Sequence, residues 1–208
     1  MRFAGLIAGA AAAVLVAAGA ITYAVAGDDG GGTTPSAGSA DAGFARDMAV
    51  HHQQAVEMSY IVRDRTKDEE VRRLAYDIAQ TQANQRGMML GWLDLWGLPK
   101  VSSEPPMSWM GMGGMASGED GALMPGMATG AEMKKLGELD GKRAEIYYLQ
   151  LMTDHHKGGV HMAEGCVATC TVGVEKRLAQ GMVEAQQSEI GLMADLLEAR
   201  GAGPRSRG

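Results

Sequence analysis

The sequence predicts an all-α protein: a four-helix bundle assembled from two copies of one helical hairpin and preceded by an apolar N-terminal helix. Three observations predict it. Apolar residues recur at three-and-four spacing through long stretches, the chain repeats itself at an offset of 104 residues, and positions 3 to 26 form one uncharged run.

The N-terminal run comes first. Residues 3 to 26, FAGLIAGAAAAVLVAAGAITYAVA, carry no charge over about 24 positions, long enough to cross a bilayer as a helix. Alanine and valine at 24 to 26, ahead of Gly27 and two aspartates, fit a small-residue cleavage site. Residues 1–26 are therefore a signal peptide or an uncleaved membrane anchor with Arg2 on the cytoplasmic side, and the rest is extracytoplasmic, secreted or tethered. No cysteine lies near this end, which excludes lipid attachment of the bacterial lipoprotein type. Residues 27–40, GDDGGGTTPSAGSA, read as a flexible linker.

The bundle is expected over 41–200. In the first segment Phe44, Met48, His51, Ala55, Met58 and Val62 keep a helical spacing; in the second, Leu74, Ile78, Gln85, Met89, Trp92 and Trp96 do the same. Helices are predicted at 41–65, 67–96, 140–169 and 172–200. Thr66 and Glu69 read as a capping box, Gly97 and Pro99 as the stop of the second helix, and Gly201 as the stop of the fourth. The first hairpin thus spans 41–96, a methionine-rich connector 97–139, the second hairpin 140–200 and a tail 201–208.

The repeat joins the two hairpins residue by residue. Phe44 pairs with Tyr148, Met48 with Met152, His51 with His155, His52 with His156 and Met58 with Met162, and further on Leu74 pairs with Leu178, Gln82 with Gln186 and Met89 with Met193. Two such hairpins bury their amphipathic faces by packing on each other.

Composition limits the function. The chain has 208 residues, 46% hydrophobic and 21% charged, enough for one main core. A net charge of −6 with scattered lysines and arginines gives no footprint for nucleic acid. Two cysteines are too few for a disulfide-stapled scaffold, so Cys166 and Cys170 are one local pair. They form a disulfide if the helix ends between them, or offer two thiols beside His161 to a soft metal.

The histidines carry the chemistry. At about 100° per residue, His51 and His155 point inward with Met48, Met58, Met152 and Met162, while His52 and His156 lie at the edge of the stripe. Four of the five histidines fall in two matched pairs, which packing alone does not require. Carboxylate sites for iron or manganese use Glu-x-x-His, and none occurs here; the inward positions on the second and fourth helices offer Gln85 and Glu189, a single carboxylate. Imidazole with thioether suits copper, the thioether selecting Cu(I) and imidazole serving both Cu(I) and Cu(II); other transition metals tolerate imidazole but leave the methionines unexplained. In the connector, Met107, Met110, Met112, Met115, Met124 and Met127 sit among glycines, and Met107, Met110, Met112 and Met115 are close enough to wrap a monovalent ion; an adaptable apolar flap is the other reading.

The pattern Met-x-x-His-His followed by a methionine, present twice, and the Gln186, Glu189, Ile190 segment resemble the bacterial domain-of-unknown-function family numbered 305 over about Asp41 to Arg200. The resemblance implies a duplicated ferritin-like four-helix bundle in an extracytoplasmic protein associated with copper binding and tolerance. The first copy departs from the second in having Gln85 and Arg86 where the second has Glu189 and Ile190. Copper sequestration or transfer, in the second case to a copper-handling partner protein, is the expected function. An oxidase acting on Cu(I) or Fe(II) and a metal-free helical interaction module are the alternatives, the oxidase lacking an evident general base.

Overall fold

A computed structural model describes residues 34–113 and 121–205, and everything below concerns these. The apolar segment 3–26, most of the linker and Met115 lie outside the described residues. Helix α1 spans Ala40–Arg65, α2 Glu69–Leu95, α3 Gly130–Glu138, α4 Gly141–Thr169 and α5 Gly173–Ala199, with one 3-10 turn at Ser108–Met110. No strand is present among the described residues, and none of their helices is long and apolar enough to cross a membrane.

Three of the four long helices start where a side chain satisfies free amides. Ser39 accepts from the Ala42 amide at 3.2 Å, and Asp68 accepts from the Val71 amide at 2.9 Å. Helix α5 has no cap of its own at Val172; Asp41 of α1 reaches across and accepts from the amides of Thr171 and Val172 at 2.8 and 2.7 Å. Gly97 and Gly201, with φ of +66° and +69°, follow the ends of α2 and α5 in the left-handed conformation that suits glycine.

Two expectations at the element ends need correction. Thr66 does not begin a capping box: it is the extended residue that closes α1, its hydroxyl donating to Glu145 and accepting from the Asp68 amide, so α2 starts only after Asp68. The connector is also not devoid of helix. Thr129 and Glu132 form a reciprocal capping box that nucleates α3.

Helix α1 packs along α2, α4 along α5, and the two hairpins meet through α1 and α4. These central helices run antiparallel. One apolar cluster joins Phe44 and Met48 of α1 to Met162 and Cys166 of α4, with Met89, Leu93 and Met182 completing it. The other joins Met58 and Val62 to Tyr148, Leu149 and Met152, with Ile78, Met193 and Leu197. Each such side chain contributes about 1.5–3 kcal/mol on full burial. The histidines lie between the two clusters in sequence on both helices.

The connector is part of the core. Met107, Met124 and Met127 are buried in the first cluster. The Gln54 side chain holds the backbone of Ala128 at both its amide and its carbonyl, at 2.7 and 2.8 Å. Asp47 accepts from the Met107 amide at 2.7 Å and from the Trp109 indole at 3.0 Å. Close approach is possible because α1 and α4 present glycines. A methyl group at Gly43 would sit 2.5 Å from Trp109, one at Gly165 2.5 Å from Met110, and one at Gly158 2.1 Å from the Pro125 carbonyl oxygen.

Candidate metal centre

All four paired histidines are fully buried, with 0% exposure. For His51 and His155 this follows from the inward stripe. His52 and His156, expected at its edge, are covered by α2 and α5, which supply each with a polar partner 33 residues further on. His52 Nε2 lies 2.8 Å from Gln85 Oε1, and His156 Nε2 lies 2.6 Å from Glu189 Oε2.

These partners decide the tautomers. Each is an acceptor, so the Nε2 of His52 and of His156 carries the proton and donates. His155 does likewise, its Nε2 donating to the backbone carbonyl oxygen of His51 at 2.9 Å. In all three rings Nδ1 is then the bare lone pair. The Nδ1 atoms of His52, His155 and His156 are buried without a hydrogen-bond partner, and so are both ring nitrogens of His51. An unsatisfied buried polar atom costs about 1–3 kcal/mol. A neutral ring has one N–H and one lone pair, so the two residue pairs offer one lone pair from each of four rings, an arrangement that a soft or borderline cation would satisfy.

Electrostatics keep the lone pairs available. Burial, with the neighbouring His52 and His156, lowers the His51 pKa to about 3 against the opposing Pro125 carbonyl. Burial lowers His52 to about 4, opposed by the Gln85 hydrogen bond. His155 is held well below 6.5 by burial and by the His51 and His156 rings. These three rings are therefore neutral at pH 7, the form that ligates metals.

The rings converge. His51 and His155 face each other with centroids 3.7 Å apart, while His51 and His52 are 6.5 Å apart and His155 and His156 6.2 Å. Met48 precedes His51 by one helical turn and His52 by four residues, and Met152 stands in the same relation to His155 and His156, so each thioether shares a helix face with its histidines. Met48, Met58, Met152 and Met162 are all fully buried. Glu189, the carboxylate that meets His156, leaves 26% of its side chain exposed and so connects the layer to solvent.

The connector methionines divide. Met107, fully buried and with a positive φ of 66°, lies in the apolar core, whereas Met110 and Met112 are half-buried against it. His161, outside the repeat, is exposed.

Two residues carry more than their sequence suggested. Gln82 and Gln186, 104 residues apart like the histidine pairs, are both 3% exposed, and neither amide has a hydrogen-bond partner on oxygen or nitrogen. Gln186 Oε1 lies so close to α4 that a methyl at Gly159, one turn beyond His155, would meet it at 2.4 Å. That shared offset was the available signal.

The family described as Domain of unknown function (DUF305) matches residues 41–197. A DUF305 protein from Streptomyces coelicolor, described as a candidate secreted protein, has a solved structure at 78% identity and a TM-score of 0.78, the match covering 83% of this chain and 100% of that one. A DUF305 fragment from Deinococcus radiodurans is 30% identical with a TM-score of 0.63, covering 77% and 96%. CopM in its Cu(I)-bound form has the same fold at 18% identity and a TM-score of 0.58, covering 76% and 96%. No curated protein matches the chain by sequence.

Proposed function

This chain belongs to the DUF305 family, and from that premise we propose that it is an extracytoplasmic copper-binding protein that sequesters copper or hands it to a partner protein. Copper is its cargo. Residues His51, His52, His155 and His156 hold the ion inside the bundle, with Met48, Met58, Met152 and Met162 as thioether donors and Glu189 as the carboxylate that meets His156. Half-buried Met110 and Met112, with Met107 and Met115, extend thioether binding into the connector.

The single observation that carries this reading is the set of buried, orphaned imidazole nitrogens in two pairs 104 residues apart. Their company favours copper over harder ions, because imidazole and thioether together match its two oxidation states. CopM, of the same fold, has been seen in Cu(I)-, Cu(II)- and Ag-bound forms, which supports a soft-metal reading. The candidate secreted relative supports an extracytoplasmic location, with residues 1–26 as signal peptide or membrane anchor and 27–40 as tether.

The two hairpins are duplicate halves of a ferritin-like bundle on this reading. Support comes from the matching contacts of His52 with Gln85 and of His156 with Glu189, each across 33 residues. The halves differ in charge at that contact, so their two metal positions are unequal.

The test is metal analysis of the protein purified without added metal, followed by titration with Cu(I) and with Cu(II). Stoichiometric copper is expected, and it should disappear when His51, His52, His155 and His156 are all replaced by alanine. Unchanged affinity in that variant, with the fold intact by circular dichroism, overturns the bundle site.

A further inference from the structure

A second constellation lies at the far end of α4, away from the histidine pairs. Helix α4 stops at Thr169, and Cys170, its C-terminal cap, is disulfide-bonded to Cys166. The ending of the helix between the two residues lets this pair close. Beside it, in the first turn of α5, stands Glu175, fully buried, with the Asp41 side chain as its hydrogen-bonding neighbour. One donor atom from each of Cys166, Cys170 and Glu175 lies within 4.8 Å of the other two.

Burying a carboxyl beside two sulfurs is costly in the oxidised protein. Glu175 caps no helix, since Asp41 takes the amides of Thr171 and Val172, and it makes no ion pair among the described residues. Two thiolates on a tetrahedral zinc ion are about 3.8 Å apart, given Zn–S bonds of about 2.3 Å. Opening the S–S bond and small side-chain rotations bring the three donors to that spacing.

We propose that Cys166, Cys170 and Glu175 form, when the disulfide is reduced, a redox-gated site for a thiophilic divalent cation of the zinc class, separate from the histidine layer. A dithiol reductant gives up two electrons and two protons: the Cys166–Cys170 bond breaks, each sulfur takes a proton, and the reductant closes to its own disulfide. The cation then displaces both thiol protons and the carboxyl proton and is held by two thiolates and one carboxylate, with a fourth position for water. The position at the start of α5, where the helix dipole is positive, favours the anionic set. Cys170 is 3% exposed, but Ala168, Thr169 and Thr171 around it are exposed, so the α4–α5 turn gives the reductant its approach.

The test uses the full chain with Cd(II) as probe, read by its thiolate charge-transfer absorption and by competition with a chromophoric chelator. Cd(II) reports thiolate ligation directly and does not depend on thioether preference. The reduced protein should bind one equivalent with the thiolate band, and the oxidised protein should show no band. Glu175→Gln, which keeps shape and burial, should retain the fold and weaken binding at least tenfold after reduction. The double variant Cys166→Ser with Cys170→Ser should abolish the band while leaving copper binding at the histidine layer unchanged. Absence of the band after reduction, or equal affinity in Glu175→Gln, overturns the site; should the double serine variant fail to fold, the Glu175→Gln comparison decides alone. Loss of copper binding with the Cd(II) site intact would count against the copper reading and not against this one.

Discussion

The imidazole rings of His51 and His155 stack with centroids 3.7 Å apart and planes inclined by 31°, and the Nε2 of His155 donates to the carbonyl oxygen of the very residue it stacks upon. One contact therefore ties the two hairpins together at the midpoint of both central helices. It uses one ring nitrogen of His155 and neither ring nitrogen of His51.

Replacing His51 by leucine separates stability from binding. The leucine fills similar volume and removes two unsatisfied nitrogens, each costing about 1–3 kcal/mol. The metal-free variant should unfold at the same denaturant concentration as the wild type or a higher one. Copper at one hundred times its Kd should stabilise the wild type by about 2.7 kcal/mol and the variant by much less. A large loss of stability without metal, and an unchanged copper increment, would show that His51 is a packing residue.

Glu189→Gln makes the two halves alike at the outer histidines. The Glu189 carboxylate accepts from His156 Nε2, with the two heavy atoms 2.6 Å apart, and thereby keeps Nδ1 facing the interior. Removal of such an orienting partner lowers metal affinity by about 10- to 100-fold. Isothermal titration with Cu(II) checks this. Affinity within twofold of the wild type would mean that Gln85-type support is sufficient on both sides.

The metal-free protein should lose stability on acidification through the histidines. The folded pKa values of His51 and His52, about 3 and about 4, and that of His155, well below 6.5, lie below the unfolded value. The unfolded chain therefore binds more protons as pH falls through 6.5, and stability present above that pH is lost progressively down to about 4. Each group contributes about 1.4 kcal/mol per pH unit in that window. Glu175 acts in the opposite sense, since burial and then Asp41 raise its pKa to about 9, so the folded chain holds an extra proton between about 4.5 and 9. Urea titrations at pH 7, 6 and 5 should give midpoints that fall with pH, less steeply than three histidines alone would make them. A flat profile would contradict neutral buried rings.

Gly158→Ala tests the connector as a cover. The added methyl would meet the Pro125 carbonyl oxygen at 2.1 Å, backbone that cannot rotate aside. Overpacking of this kind costs about 1–3 kcal/mol. The segment around Pro125 should lift, and diethyl pyrocarbonate should modify the buried histidines faster than in the wild type. Gly191→Ala is the control: its helix position is exposed and nothing lies within 4 Å of the new methyl, so it should be neutral or stabilising. Equal modification rates in all three proteins would show that the connector does not screen the site.

Local pattern made most of the helices legible. A period of 3.6 is a property of each segment by itself, so α1, α2, α4 and α5 fall within two residues of the predicted bounds. Capping was read less well, because Thr66-x-x-Glu69 and Thr129-x-x-Glu132 have the same spacing and only the second forms a box. The difference lies in Glu145, which engages the Thr66 hydroxyl from another helix.

By itself the sequence determined the all-helical class, the family and the inward direction of His51 and His155, because periodicity and spacing are written along one chain. Only the tertiary structure decided that His52 and His156 are buried too, since their covers, Gln85 and Glu189, belong to neighbouring helices. Tertiary structure also decided which connector methionines join the core: a glycine-rich loop has no period of its own, and Met107 is buried because Asp47 of α1 holds its amide. The same reason applies to Glu175, whose surroundings are made by Asp41 and the Cys166–Cys170 pair meeting at the helix ends. Burial, lone-pair direction and the proximity of distant donors are properties of packed helices, and they arise only when segments far apart in sequence share one interior.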